Sequence, residues 1–298
     1  MGAVFPVVWR HRERWRACMN FVDLFLNLAG LLLWLSWRSA GFSPPTMPGG
    51  VSYATVLKPV TVRRLRRWHL LAGLVSLLVV RAWLYWKVGD QVHWVPSLDL
   101  GAVTLPFNSI LFTRMALFSI CSFGVIWAGF YLWLMLLSIV NRALPESDLC
   151  QRWVRLHLGW VDSWPWPIKL LIPWIAVACF WYMANPGLVQ LGMVATPSST
   201  SHLWEQGLLV GAGAWLAWKY LVGGVLFLHV VNSYLYLGNW LIWAYISTTA
   251  RQIMRPLAWM PLRLGQIDFV PVVAIALVFL IAELGQRGLT TLFGHLPL

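Results

Sequence analysis

Charged side chains are scarce in this sequence of 298 residues. Only 11% of the residues are charged while 59% are hydrophobic, and Asp and Glu together number 10. A soluble domain covers its core with far more charge, so this balance excludes an ordinary soluble domain and indicates a protein embedded in lipid. The sequence also has no H-E-x-x-H motif, no P-loop, no dinucleotide fingerprint and no plausible Ser/His/Asp set. With so few acids, we expect no catalytic activity.

Cysteine is equally scarce, and its spacing excludes several kinds of site. The four cysteines are Cys18, Cys121, Cys150 and Cys179, and none belongs to a C-x-x-C pair or a C-x-x-C-H haem attachment motif. This pattern predicts neither a disulfide framework nor a metal site. Three of the four lie in or beside apolar runs, where cysteine packs as a small hydrophobic side chain.

The charges that are present are mostly basic. Lys and Arg number 22, which gives a net charge of +12. In a soluble protein this excess would suggest nucleic acid, but here the basic residues cluster beside apolar runs, where they orient helices and attract anionic head groups. The partners expected are therefore anionic lipids and not nucleic acid. The 22 tryptophans fit the same environment, since indole prefers the membrane interface.

Six apolar runs are long enough to cross a membrane, which takes about 20 residues. We predict an all-α, polytopic transmembrane protein in which about six spans form three helical hairpins. The predicted spans are 17–37, 68–88, 109–141, 167–185, 212–246 and 269–286. Segment 203–249 is either one continuous helix or a helix that breaks near Gly223-Gly224, and segment 89–108 is expected to form a short hairpin. The divisions predicted are 1–108, 109–202 and 203–298.

A basic loop joins the two spans of each hairpin. Placing these loops in the cytoplasm satisfies the positive-inside rule, and we expect the bacterial inner (cytoplasmic) membrane. The arginines expected to contact lipid head groups are Arg63, Arg64, Arg66 and Arg67 in the first loop, Arg152 and Arg155 in the second, and Arg251, Arg255 and Arg263 in the third. The second loop also contains Arg142. Arg10, Arg12, Arg14 and Arg16 conflict with this topology, because they precede the first span and also favour the cytoplasm.

The second and third loops share an eight-residue element. Leu158–Pro165 and Leu264–Pro271 both read Leu-Gly-x-(Val/Ile)-Asp-x-x-Pro. Glycine permits a backbone turn, aspartate is suited to cap the helix that follows, and proline fits the first helical turn. The predicted structural residues are Gly159, Asp162 and Pro165 in one copy, and Gly265, Asp268 and Pro271 in the other. The alternative is that the two aspartates bind a cation or accept protons.

Ionisable residues inside the spans are the first candidates for a functional site. Asn20, Asp23 and Asn27 share one helical face because they are spaced at i, i+3 and i+7. Asp23 and Arg81 fall at similar depth in neighbouring spans, so we expect an ion pair whose remaining hydrogen bonds go to the two asparagines. In the alternative, Arg81 reaches the head groups alone. The other intramembrane polar residues are Arg114, Lys219, His229 and Glu283.

The third hairpin resembles a known family. Tyr245–Ser247, Arg255–Leu257, Pro261–Arg263 and Ile267–Asp268, with Gly265 and Pro271, are similar to the helix–loop–helix element of the YggT (YlmG) integral membrane proteins. The resemblance covers about 230–290 and partly 125–190. It implies a role in assembly of membrane complexes, which in this family includes cytochrome maturation in plastids, and cell-division or osmotic phenotypes in bacteria. It supplies no catalytic residues.

We therefore expect a scaffold, assembly factor or accessory subunit of a membrane protein complex that uses no cofactor. Small residues suited to close helix packing support this reading: Gly124, Gly129, Gly207, Gly211 and Gly213. One alternative is an ion or solute channel lined by Asp23, Arg81, Lys219 and Glu283. Another is a haem-handling protein that uses His229, although a lone histidine more often hydrogen-bonds between helices.

Overall fold

The computed structural model describes residues 5–40, 67–92, 94–145, 148–235, 240–257, 259, 263–264 and 267–296. Over these residues the chain is almost entirely helical. Six helical segments within this part of the chain are long and apolar enough to cross a membrane. The predicted fold class, a polytopic α-helical membrane protein, is confirmed.

The described chain folds into nine α-helices and two short β-hairpins. The helices are α1 Phe5–Ser39, α2 Arg67–Val92, α3 Phe112–Val140, α4 Leu149–Leu158, α5 Trp166–Gln190, α6 Thr200–Trp215, α7 Trp218–Tyr234, α8 Leu241–Met254 and α9 Val270–His295. Strands β1 Ser97–Asp99 and β2 Thr104–Pro106 form the hairpin that was expected within 89–108. Strands β3 Arg263–Leu264 and β4 Ile267–Asp268 pair antiparallel.

Five of the six predicted spans each coincide with one helix. The exception is 212–246, the fifth span in chain order. Segment 212–246 is not one helix, because the chain turns between Trp215 and Trp218 and α7 ends at Tyr234. The break is not at the glycine pair. Gly223 lies inside α7, where a Cβ would come within 2.7 Å of the Phe279 ring. At the turn, the Trp133 indole donates a hydrogen bond of 3.0 Å to the carbonyl of Ala217, the N-cap of α7.

The chain divides into two compact units. The first comprises Met1–Leu98 and Pro106–Trp127, and the second comprises Asp99–Leu105 and Ala128–Leu298. This division differs from the three parts expected from the sequence, which stay a prediction. In the first unit, an aromatic core of Tyr85, Trp94, Phe107 and Phe118 is almost fully buried.

Close packing in the second unit depends on glycine at the α5–α6 contact. A Cβ at Gly207 would lie 2.9 Å from the Ala178 carbonyl oxygen, and a Cβ at Gly211 would lie 2.6 Å from that of Trp174. Gly213 approaches the β1–β2 turn equally closely, with Leu100 O 2.5 Å from its virtual Cβ. These three glycines therefore pack closely within the chain. At Gly124 and Gly129 nothing described lies within 4 Å of a virtual Cβ, so the packing against partner helices expected of these residues stays a prediction.

The two copies of the eight-residue element have different local structures. Leu158–Pro165 ends α4 and forms the 3₁₀-helix Gly159–Ser163, in which Gly159 has a φ of 60° that favours glycine. In the second copy, Leu264 and Ile267–Asp268 belong to the β3–β4 hairpin. Gly265 lies outside the described residues. Pro271 lies in the first turn of α9 as predicted. The prediction is wrong for Pro165, which is the N-cap of α5, so that Pro167 is the proline in the first turn of that helix.

Candidate functional site

The principal site is a hydrogen-bonded charge network inside the first unit. Helix periodicity brings its members together: Asp23 and Asn27 lie one turn apart on α1, and Arg81 and Tyr85 lie one turn apart on α2. Ser122 of α3 completes the group. The Arg81 side chain is 0% exposed and that of Asp23 is 19% exposed. The ion pair predicted from the sequence is therefore present, and Arg81 does not reach outward alone.

Four donors converge on the Asp23 carboxylate. Oδ1 accepts from Arg81 Nη2 at 2.9 Å and from the Tyr85 hydroxyl at 2.8 Å. Oδ2 accepts from Asn27 Nδ2 at 3.0 Å and from Ser122 Oγ at 3.2 Å. Arg81 Nη1 also donates to Asn27 Oδ1 at 2.6 Å. A buried charge is tolerated when a partner and several hydrogen bonds replace its hydration, and this network supplies both.

A cavity of about 300 Å³ lies against this network. Asp23 and Asn20 contribute side chains to its wall, and Trp94 Nε1 donates to Asn20 Oδ1 at 3.3 Å. The described hydrogen bond of the Asn20 side chain is therefore to Trp94 in the cavity wall, whereas the expectation was a hydrogen bond to the ion pair. Because Arg81 is fully buried and does not line the cavity, the cavity faces the anionic side of the pair. The lining residues are Asn20, Asp23, Trp94, Val95, Pro96, Ser97 and Phe118.

A second network, in the second unit, surrounds the buried Lys169 of α5. Lys169 Nζ donates to Ser138 Oγ and to the Asp162 backbone carbonyl, both at 2.7 Å, and lies 3.5 Å from Asp162 Oδ1. Ser138 also donates a very short hydrogen bond to Asp162. Arg155 Nε lies 3.5 Å from Asp162 Oδ2. Asp162 is thus the counter-ion of two basic side chains.

The helix-cap prediction is wrong for Asp162. Helix α5 begins at Trp166 with Pro165 as its N-cap, three residues after Asp162. The aspartate that does cap a helix in this loop is Asp148, which accepts from the backbone N–H groups of Cys150 and Gln151. For α9 the N-cap is Phe269, so Asp268 precedes the cap by one residue, and its side chain lies outside the described part of the chain. Asp162 pairs with Lys169 and Arg155 instead of capping α5.

Hydrogen bonds also connect the second and third basic loops. Asn141 Nδ2 donates to Thr249 Oγ1 at 2.8 Å, and the Tyr245 hydroxyl donates to Gln151 Oε1 at 3.0 Å. Burial of the Tyr245 side chain raises its pKa to about 12. The Tyr245–Gln151 bond joins α8 to α4, and the Asn141–Thr249 bond joins α8 to the residue that follows α3. These two loops lie together, and the cytoplasmic location of all three stays a prediction.

Lys219 and Glu283, two further polar residues of the spans, each have a polar partner on α9. Lys219 Nζ donates to Gln286 Oε1 at 3.2 Å, and Glu283 pairs with Arg287 on its own helix at 2.9 Å with both side chains exposed. Of the four residues expected to line a channel, Asp23 and Arg81 belong to the first unit and Lys219 and Glu283 to the second. The channel alternative stays a hypothesis. Arg114 at the start of α3 and His229 on α7 are each partly buried.

The arginines expected at head groups divide into four sets. Arg152 and Arg255 are exposed, as such contacts require. Arg67 and Arg251 are exposed too, but each donates to a backbone carbonyl. The head-group prediction is wrong for Arg155, because its side chain is partly buried beside Asp162. Arg63, Arg64 and Arg66 lie outside the described residues, as does the Arg263 side chain.

Several network residues were not predicted from the sequence. The sequence does point to Tyr85 as a member of the first network, because Tyr85 follows Arg81 by one helical turn and shares its helical face. It also points to Lys169, because a lysine at the start of an apolar run needs a counter-ion and Asp162 precedes it by seven residues. It does not point to Ser122, Ser138 or Gln151, because serine and glutamine in a polytopic chain do not reveal their partners.

Comparison of the chain with protein-family models, with curated proteins and with solved structures gave no match. The resemblance to the YggT family therefore stays a prediction based on the sequence motif. No group of His, Cys, Asp and Glu side chains able to hold a metal ion occurs among the described residues. Haem binding by His229 also stays a prediction.

Proposed function

We propose that this integral membrane protein is a non-catalytic accessory subunit or assembly partner of a membrane protein complex, in the bacterial cytoplasmic membrane. One observation carries the proposal: the two faces of α1 differ. On the polar face of α1, Asp23 and Asn27 accept hydrogen bonds from Arg81 of α2. The side chains on the opposite face are apolar and exposed. We define the α1 apolar face as Phe21, Phe25, Leu28 and Leu32, which are 63%, 60%, 44% and 64% exposed.

The spacing of this face suits a helix–helix contact. Its members recur at i, i+4, i+7 and i+11, so they form one stripe along the helix. The rings of Phe21 and Phe25 lie 5.5 Å apart and form a broad apolar surface. Helices in lipid associate by van der Waals packing, and the Asp23–Arg81 pair fixes the rotation of α1 so that the stripe faces outward. The resemblance to a family of assembly proteins supports the same function.

Purification from native membranes tests this proposal. We expect a tagged chain in mild detergent to retain a reproducible set of integral membrane proteins, identified by mass spectrometry. Phe21→Ala with Phe25→Ala should remove that set, whereas Phe180→Ala, a ring on α5 that is 67% exposed, should retain it. If the recovered proteins match those of an unrelated membrane protein, or if neither variant changes them, the proposal is wrong.

A further inference from the structure

We infer that the outer face of α4 is a docking surface for anionic phospholipid. This α4 lipid face consists of Leu149, Trp153, Leu156 and Trp160, with Arg152 at its edge. The four apolar side chains are 57%, 43%, 45% and 74% exposed. The inference goes beyond the proposed function, because it concerns a different unit of the chain and a lipid partner.

Helix α4 is apolar on two opposite sides. Its inner side is anchored: Val154 and Leu158 pack against Leu134 of α3, and Gln151 accepts the Tyr245 hydroxyl bond. The outer residues Leu149, Trp153 and Leu156 recur at i, i+4 and i+7, so the anchored helix presents them together on its outer side, and Trp160 follows in the 3₁₀-helix after α4. The exposure of these side chains is therefore not a result of a loose helix.

The connections of α4 place this face at the membrane boundary. Span α3 ends at Val140 and span α5 begins at Trp166, so α4 lies in the short loop between two spans. Neither connection to it exceeds eight residues. A helix held there with an apolar outer side lies in the interface, and tryptophan is the side chain that prefers this depth. Trp153 and Trp160 provide two such rings on the face.

The charges beside the face select the lipid. Arg152 is exposed next to Trp153, and Arg142 is exposed in the same loop. Arg155 is unsuited to this role, because Asp162 already pairs with it. Exposed arginines beside inserted apolar side chains match an anionic head group above acyl chains, since the guanidinium hydrogen-bonds phosphate and is attracted to the negative surface.

Lipid titration with matched charge variants tests the selection. The full-length protein in detergent would be titrated with phosphatidylglycerol or phosphatidylcholine, and bound lipid counted by native mass spectrometry. We expect Arg152→Gln to raise the phosphatidylglycerol midpoint about five-fold, which corresponds to ~1 kcal/mol for one basic residue near an anionic surface. Arg287→Gln removes the same charge from α9 and should not change it. Equal midpoints for wild type and Arg152→Gln would overturn the inference.

A depth measurement separates lipid from a protein partner. An environment-sensitive dye would be attached at Leu156→Cys, in a chain whose four native cysteines are replaced by serine, in nanodiscs containing phosphatidylglycerol. We expect brominated acyl chains to quench this dye but not one at Ala143→Cys, which is exposed in the same loop off the face. A dye at Leu156→Cys that is water-accessible in nanodiscs, and shielded only when another protein co-purifies, would overturn the inference. The α1 apolar face is untouched, so failure here leaves the proposed function standing.

Discussion

Arg81 Nη2 lies 2.9 Å from Asp23 Oδ1, and this contact joins the two helices of the first hairpin across 58 residues of sequence. The rest of the network consists of neutral donors and acceptors, so the carboxylate and the guanidinium are each other's charge partners. Removing one partner leaves the other charge buried in an apolar environment, which costs far more than the pair contributes in net stability. The network therefore fixes how α1 and α2 pack.

The first prediction concerns this pair. Asp23→Leu should destabilise the protein by about 3–5 kcal/mol, because Arg81 keeps its charge without a partner. Asp23→Leu combined with Arg81→Leu should be more stable than the worse single variant, since no buried charge remains. Thermal unfolding in detergent, followed by circular dichroism, measures the difference. A double variant no more stable than the worse single one would show that the two residues do not interact.

The second prediction separates a counter-ion from a helix cap. If Asp162 is the counter-ion of Lys169 and Arg155, Asp162→Asn should destabilise the fold by roughly 2–4 kcal/mol, because a buried lysine loses its negative partner. Asparagine caps a helix as well as aspartate does, so a capping aspartate would tolerate the same change. Asp148→Asn, at an observed N-cap, is the matched control and should be nearly silent. Chemical unfolding curves of the two variants decide between the roles.

The third prediction follows from the raised pKa of Tyr245. Burial raises this pKa from its ordinary value of 10.0 to about 12, so between these values the folded state retains a proton that the unfolded state releases. Stability from this residue is fully present below pH 10 and is lost as the pH rises through 12, with a slope of up to ~1.4 kcal/mol per pH unit. Tyr245→Phe should flatten this part of the pH–stability profile. A variant with an unchanged slope would contradict the assignment.

The sequence predicts the spans well because apolar length is a local property. Asp23 and Arg81 were also predictable, since two charges at equal depth in adjacent spans need each other. Two features were not. The turn between α6 and α7 receives a hydrogen bond from Trp133 of α3 to the Ala217 carbonyl, and the Trp218 indole donates to the Leu132 carbonyl of α3; no local pattern reveals these contacts. The hydrogen bond from Ser138 to Asp162, 24 residues away, likewise has no distinctive context in the sequence.

The last prediction uses glycines that differ only in their neighbours. Gly211→Ala should destabilise the protein by about 1–3 kcal/mol, because its Cβ would lie 2.6 Å from the Trp174 carbonyl oxygen and the backbones of α5 and α6 would have to separate. Gly129→Ala is the control, since nothing described lies within 4 Å of its virtual Cβ. Alanine there should be neutral or stabilising by up to about 1 kcal/mol, because it reduces the conformational freedom of the unfolded chain. Thermal unfolding of both variants in one detergent gives the comparison. Equal destabilisation by the two substitutions would show that a general intolerance of alanine, and not the α5–α6 contact, explains the loss.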